Sequence, residues 1–203
     1  VTNVYKDFNE EPIAQFDGYL KRGVCSGGNY ITSTFEKSLL SIDKDFNLVW
    51  NREFLNKYFG KTKSTLFSYK NTAIACLGTL PDTDIKSQIL SLDTATGNTV
   101  WQTDLPFYVN YCILIGDRVY ISSKDDWYWC VLSADTGEIL LQDKLTPTEK
   151  SKNLGWLWAD SGYLFLHYRY DILQIMDETT GEIIQDITLP DDFGLSHFNI
   201  YPE

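Results

Sequence analysis

Histidine is nearly absent from this chain, with two in 203 residues, His167 and His197. Two lone histidines without spaced cysteine or carboxylate partners do not make a zinc site, so no metal ligands are assigned. A nucleoside-phosphate loop is missing as well. Ser26-Gly27-Gly28-Asn29 is a glycine turn without the Lys-Ser/Thr step and helix that would cradle a phosphate. No Gly-x-Ser-x-Gly elbow occurs. No catalytic residue is assigned, no cofactor is expected, and the sequence reads as that of a non-enzyme. Basic residues are scarce, 17 against 28 acidic ones, for a formal charge of -11. That balance lacks the footprint a phosphate backbone requires and excludes nucleic acid as the ligand. It fits a solvated acidic surface or a basic protein partner reached by electrostatic steering. No apolar run approaches the roughly 18 residues of a membrane helix, so membrane insertion is not expected.

The four cysteines include no CxxC pair and form no short disulfide framework. Cys76, Cys112 and Cys130 lie in apolar strand runs and are expected to be buried free thiols, which points to a reducing compartment. Cys25, among glycines, is the most exposed of the four by this reading. No signal peptide is visible. The expected location is the cytoplasm, with the periplasm the alternative if a leader was removed ahead of Val1.

What the chain has is a repeated phrase. It reads Ile89-Leu90-Ser91-Leu92-Asp93-Thr94-Ala95-Thr96-Gly97-Asn98-Thr99-Val100-Trp101, with variants over Val131 to Leu141 and Leu173 to Ile184 and a degenerate copy over Leu39 to Trp50. Taking Asp43, Asp93, Asp135 and Asp177 as markers, the copies are spaced 50, 42 and 42 residues apart. A period of this length, built of short strands, signals propeller blades. Aromatics at 15% suit pleated faces. The predicted fold is all-β, a small propeller of four four-stranded antiparallel blades, with a fifth, incomplete blade as the variant. The whole chain, 1–203, is read as one domain with units near 13–54, 63–104, 107–145 and 154–189. A strand over 195–201 would close the ring and remove exposed edges. The Asp of each phrase is expected to accept backbone amide hydrogens in an Asx-type turn. Gly97, Gly137 and Gly181 would supply positive φ, with Asn47 standing in at the degenerate copy.

Asp93-x-x-Thr96-Gly97-x-x-x-Trp101 resembles the repeat of quinoprotein-type, PQQ-like propellers. The resemblance covers about four units and implies the fold. The tryptophan recurs as Trp50 in the first unit, but Leu141 and Gln185 take its place in the third and fourth. The cofactor features of the family's dehydrogenases, a vicinal cysteine pair and an acidic and amide cluster for the accompanying metal, are missing. Non-enzymatic members of the family act as scaffolds.

In a propeller the hairpins of the repeated phrase open on one face, and the second-to-third strand loops and blade connections open on the other. That second face receives Asp82 and Asp84, then Asp125, Asp126 and Trp127, then Arg169, Tyr170 and Asp171, and finally Asp191 and Asp192, together with Tyr58, Phe59, Phe107 and Tyr108. Acidic charges with aromatic anchors are the composition of a protein-binding rim. The predicted function is non-catalytic binding of a basic protein, a bacterial immunity protein neutralising a nuclease toxin. A scaffold or fragment of a larger periplasmic propeller is one alternative, and a carbohydrate-binding propeller, with Trp156 and Trp158 stacking on sugars, is another.

Overall fold

The computed structural model describes residues 2–4, 11–12, 14–16, 20–34, 38–54, 57–59, 66–79, 84–123, 127–144, 154–168 and 172–188. Every regular element among them is a strand. β1 (Thr2–Val4) and β2 (Ala14–Phe16) form a small separate ladder. The first blade runs β3 (Leu20–Ser26), β4 (Asn29–Thr34), β5 (Ser38–Ile42) and β6 (Leu48–Glu53), each antiparallel to the next. The second contains β7 (Lys57–Phe59), β8 (Leu66–Tyr69), β9 (Thr72–Thr79), β10 (Ser87–Asp93) and β11 (Thr99–Leu105). β12 (Val109–Ile115), β13 (Arg118–Ser123), β14 (Tyr128–Ser133) and β15 (Ile139–Lys144) make the third. β16 (Leu154–Asp160), β17 (Tyr163–Tyr168), β18 (Ile172–Asp177) and β19 (Ile183–Thr188) make the fourth.

This is the all-β arrangement of antiparallel blades that the repeat predicts, with two local differences. The inner strand of blade one begins at Leu20 rather than Ile13, because Ala14–Phe16 pairs with β1 instead. The inner strand of blade two is composite. β8 pairs the first half of β9 and β7 pairs the second half, so Tyr58 and Phe59 belong to a strand and not to a loop. The expected closing strand at 195–201 lies outside the described residues.

The middle strands are mostly buried. Ala73 to Gly78 of β9 and Ser87 to Leu92 of β10 are all inaccessible. A sheet covered on both faces selects continuous apolar runs rather than alternation, since both side-chain sets must leave water. Three cores result, one per seam. Ile31, Leu39, Ala75, Leu90 and Leu92 join blades one and two. Ile74, Ile89, Trp101, Cys112, Ile121 and Leu132 join two and three. Tyr120, Trp129, Val131, Leu157, Leu166 and Met176 join three and four.

One polar contact recurs at these seams. In the turn joining the third and fourth strands of a blade sits Thr94, Ala134 or Glu178. Its N–H donates across the blade to the inner hairpin turn, at Asn71, Asp117 or Gly162, over 2.8–3.1 Å. Its carbonyl faces the preceding blade. Trp50 Nε1 donates to the Thr94 carbonyl at 2.9 Å, and Trp101 Nε1 to that of Ala134 at 3.0 Å. Asn29 and Ser41 also donate to the Thr94 carbonyl. In the third seam Leu141 has no donor, and Arg118 supplies it instead, its Nη1 reaching the Glu178 carbonyl at 3.1 Å. The Tyr120 hydroxyl donates to the Glu178 carboxylate, which raises the tyrosine's pKa along with burial, the larger cause. The ring next to Gly181 is now Trp129, whose buried Nε1 has no partner among the described residues.

Gly97 and Gly137 are each required twice over. Gly97 and Gly137 have φ of +72° and +73°, and a Cβ on Gly137 would stand 2.4 Å from the Trp101 ring. Only a residue without a side chain fits under the indole. We expect Trp101→Ala to destabilise the fold by about 3–5 kcal/mol, because it removes a large buried side chain and leaves a cavity at the seam. Gly137→Ala should also destabilise, from strain and from the clash. Urea denaturation midpoints measure both, and a Gly137→Ala midpoint equal to that of the parent would contradict the docking of indole on glycine.

Candidate functional site

The hairpin face is built by aspartates whose carboxylates are spent locally. Asp93 Oδ1 accepts from Ala95 N, Thr96 N and Thr96 Oγ1 at 3.1, 2.8 and 2.8 Å. Asp177 repeats this with Thr179 and Thr180, at 2.8 Å, 2.7 Å and 3.2 Å. Asp43 accepts from Asp45 N, Asn47 N and Asn47 Nδ2. These hydrogen bonds, which favour the ionised form, hold all three carboxyls below the usual value.

The structure corrects two details of the repeat. The residue matching Asp93 in blade three is Ser133, not Asp135, as shown by Gly137 N donating to Ser133 O and Thr136 N to Ser133 Oγ. Asp135 lies two positions on, exposed, and pairs with Lys70 of blade two. The structural spacing is therefore 50, 40 and 44 residues. In blade one the left-handed residue is Phe46, with φ of +64°, and not Asn47, which caps Asp43 instead. That turn is one residue shorter, seven from Asp43 to Trp50 against eight from Asp93 to Trp101.

On the opposite face, two of the ten predicted rim residues are described. Asp84 is exposed at the entry to β10. Trp127 precedes β14 with φ of +61° and is half-buried against the core of the third seam. Asp82, Asp125, Asp126, Arg169, Tyr170, Asp171, Asp191 and Asp192 lie outside the described residues. Nearby, Phe107 is only 3% exposed and stacks on Tyr128 with centroids 5.3 Å apart. It caps the core between blades two and three instead of presenting a surface. Lys144 Nζ lies 4.9 Å from the Tyr128 ring centre, and Lys86 lies 5.9 Å from that of the exposed Tyr108.

Among the described residues no three His, Cys, Asp or Glu side chains gather as metal donors. His167 is 3% exposed, and neither ring nitrogen has a hydrogen-bond partner among the described residues. Its desolvation depresses its pKa. A groove of about 340 Å³ lies between the outer strand of blade one and the β10–β11 hairpin of blade two, lined by Trp50, Asn51, Arg52, Thr96, Gly97, Asn98 and Thr99. Arg52 Nη1 there donates to Gly97 O at 3.0 Å and Thr99 Oγ1 at 2.8 Å, holding the seam.

Sequence reasoning missed one surface. Each outer strand begins with exposed apolar residues: Leu48 and Val49, Val100, Ile139 and Leu140, Ile183 and Ile184. A β-bulge sits at the same point of every blade, opposite these residues, after Ser41, Ser91, Val131 and Ile175. The signal was present in the sequence, as an apolar residue or pair just past the hairpin of every repeat.

No family model matches the chain, and neither does any curated protein sequence. Among solved structures it is similar to BamB from Moraxella catarrhalis, with a TM-score of 0.55 at 17% identity over 81% of this chain and 47% of that one. It is also similar to a quinohemoprotein alcohol dehydrogenase from Pseudomonas putida, with a TM-score of 0.57 at 12% identity over 82% and 34%. A europium-containing methanol dehydrogenase gives 0.60 at 12% identity over 82% and 41%. The chain spans between a third and a half of these structures. The fold is that of a β-propeller, and its neighbours include quinoprotein-type propellers, in line with the resemblance carried by the repeat.

Two pH effects follow. Because the folded Asp93 and Asp177 have lowered pKa values, their stabilisation is complete above the unfolded value of about 3.9 and is lost as pH falls below it. Asp93→Asn should lower stability at neutral pH and weaken the dependence on pH below about 4. His167 acts higher on the scale. The unfolded chain takes up its proton below about pH 6.5 while the folded site resists, so stability falls as pH drops from about 7 to 5. His167→Leu should flatten that part of a Tm-versus-pH curve. An unchanged slope would show that His167 is not held neutral.

Proposed function

We propose that this chain is a non-catalytic propeller that binds another protein. The observation that carries this reading is the row of exposed apolar residues on the outer strands. Among the described residues β6, β11, β15 and β19 each end their sheet. Apolar side chains beside unpaired ladder positions are the geometry by which an extended segment adds to a sheet edge. The charge of -11 favours a basic partner and fast, salt-sensitive association. In its specific form the partner is a basic toxin domain and this chain is its immunity protein, acting in the cytoplasm. Asp82, Asp84, Asp125, Asp126, Asp171, Asp191 and Asp192 meet its lysines and arginines, while Trp127, Arg169 and Tyr170 anchor the contact.

A second reading, a scaffold segment of a longer propeller, is favoured by the 47% share of the BamB chain that this one covers. Under it the location is the periplasm.

Affinity capture from the host lysate at low and high salt tests the first reading. The expected product is one basic protein in stoichiometric amount, weakened by salt. With that protein purified, Asp125→Lys with Asp126→Lys should slow association about tenfold at low salt and flatten its salt dependence. Val100→Asp should mainly speed dissociation. A captured partner indifferent to salt and to the charge reversal would sink the acidic-rim assignment.

A further inference from the structure

The groove at the first seam holds a cation that its structural role does not use up. Arg52 stands on β6, two residues after Trp50, and is half-buried. Its Nη1 donates to Gly97 O and Thr99 Oγ1, and its guanidinium carbon lies 5.3 Å from the Phe54 ring centre. At the second seam the equivalent residue, two after Trp101, is Thr103, whose hydroxyl donates to the equivalent carbonyl, Gly137 O, at 2.5 Å. One neutral donor therefore meets the demand of a seam. A guanidinium has five N–H donors in a fixed plane. With Nη1 engaged twice, Nε and Nη2 remain, and neither makes a hydrogen bond or an ion pair among the described residues. These two nitrogens form the edge that grips a carboxylate at two points.

The walls around Arg52 suit a ligand that also carries hydroxyls. Asn51 and Asn98 line the same groove, both are exposed, and neither side-chain amide is paired among the described residues. No carboxylate is among the residues that line it, so the guanidinium there is not neutralised. A volume of about 340 Å³ lies at the lower end for ligand sites and admits one molecule of monosaccharide size. We propose that this groove binds a sugar-sized hydroxy acid, a uronic acid, with Arg52 Nε and Nη2 on its carboxylate and the Asn51 and Asn98 amides on its hydroxyls. One guanidinium balances one negative charge. A phosphate dianion calls for a second cation or a nest of free backbone amides. The amides of Thr96, Gly97 and Asn98 are all engaged within their own turn. The net charge of -11 opposes an anion at long range, but that field is screened beyond roughly 8 Å at physiological salt, whereas the fork acts at contact. The same chemistry is offered by a free acid and by the end of an acidic polysaccharide. The site stands apart from the protein-binding reading and does not depend on it.

The experiment titrates the isotope-labelled chain with sodium glucuronate at physiological salt and follows it by NMR. The expected result is saturable movement of the Asn51 and Asn98 side-chain amide signals, with a dissociation constant on the order of 1 mM. Arg52→Thr copies the second seam, keeping a donor for the Gly97 carbonyl while removing the fork, and should weaken binding about tenfold or more. Arg52→Lys keeps the charge without the planar fork and should weaken it nearly as much. The neutral methyl ester of the same sugar should bind about tenfold more weakly than the acid. A glucuronate-ended oligosaccharide that binds more tightly than the free acid assigns the site to a polysaccharide end, and equal affinity assigns it to the free acid. The amide signals are read on the parent chain, so they decide the matter even where an Arg52 variant fails to fold. Signals that stay still, movement confined to other residues, inorganic phosphate bound as tightly as glucuronate, or an affinity unchanged by both Arg52 substitutions overturns the proposal.

Discussion

The contact on which this architecture depends is small: a backbone carbonyl at the crown of each outer hairpin, met by a donor from the blade before it. A sheet one blade thick cannot bury both faces alone, so each unit relies on its neighbours, and stability in such arrays accumulates seam by seam. Apolar burial supplies most of the stabilisation, but it is non-directional. The Trp50 and Trp101 donors fix the angle at which the next blade seats, because the indole must cover a glycine and reach the carbonyl at once. The third seam meets the same geometric demand with different residues. Arg118 brings the donor from the second strand, and the ring comes from Trp129. Two side chains, Arg118 and Trp129, thus do in the third seam what one tryptophan does in each of the other two, and the Trp129 indole nitrogen is left without a partner among the described residues.

The repeated phrase exposed much of this in the sequence, because turn chemistry is local. Asp93 and Asp177 bond to amides two and three residues on, and Gly97, Gly137 and Gly181 close the turns. That information lies inside a six-residue window. The errors came where local chemistry allows substitution. Ser133 does the work of an aspartate with a hydroxyl, and the nearby Asp135 resembles the marker while serving an exposed ion pair. Phe46 takes a left-handed conformation that composition assigns to Asn47, because the turn is one residue shorter and Asn47 is engaged by the Asp43 carboxylate. The split inner strand of blade two was illegible because its pairing partner, β9, lies beyond it in sequence.

The candidate rim was less legible than the fold. Aromatic residues at loop positions can face solvent or cap a core, and composition does not distinguish these. Phe107 went to the core, stacked on Tyr128, and Trp127 is half committed to it. The apolar residues of the outer strands show the reverse case. They look like ordinary strand interior in one dimension, and their exposure follows only from being last in a sheet.

The bulge at the start of each outer strand has a consequence of its own. A regular exposed edge with apolar residues is a template for open-ended stacking of identical chains into fibres. A bulge breaks the register beside those residues and increases the local twist, so a second flat edge cannot run along the whole strand. Four bulged edges leave only short stretches available, enough for one incoming segment and too short to propagate a ribbon.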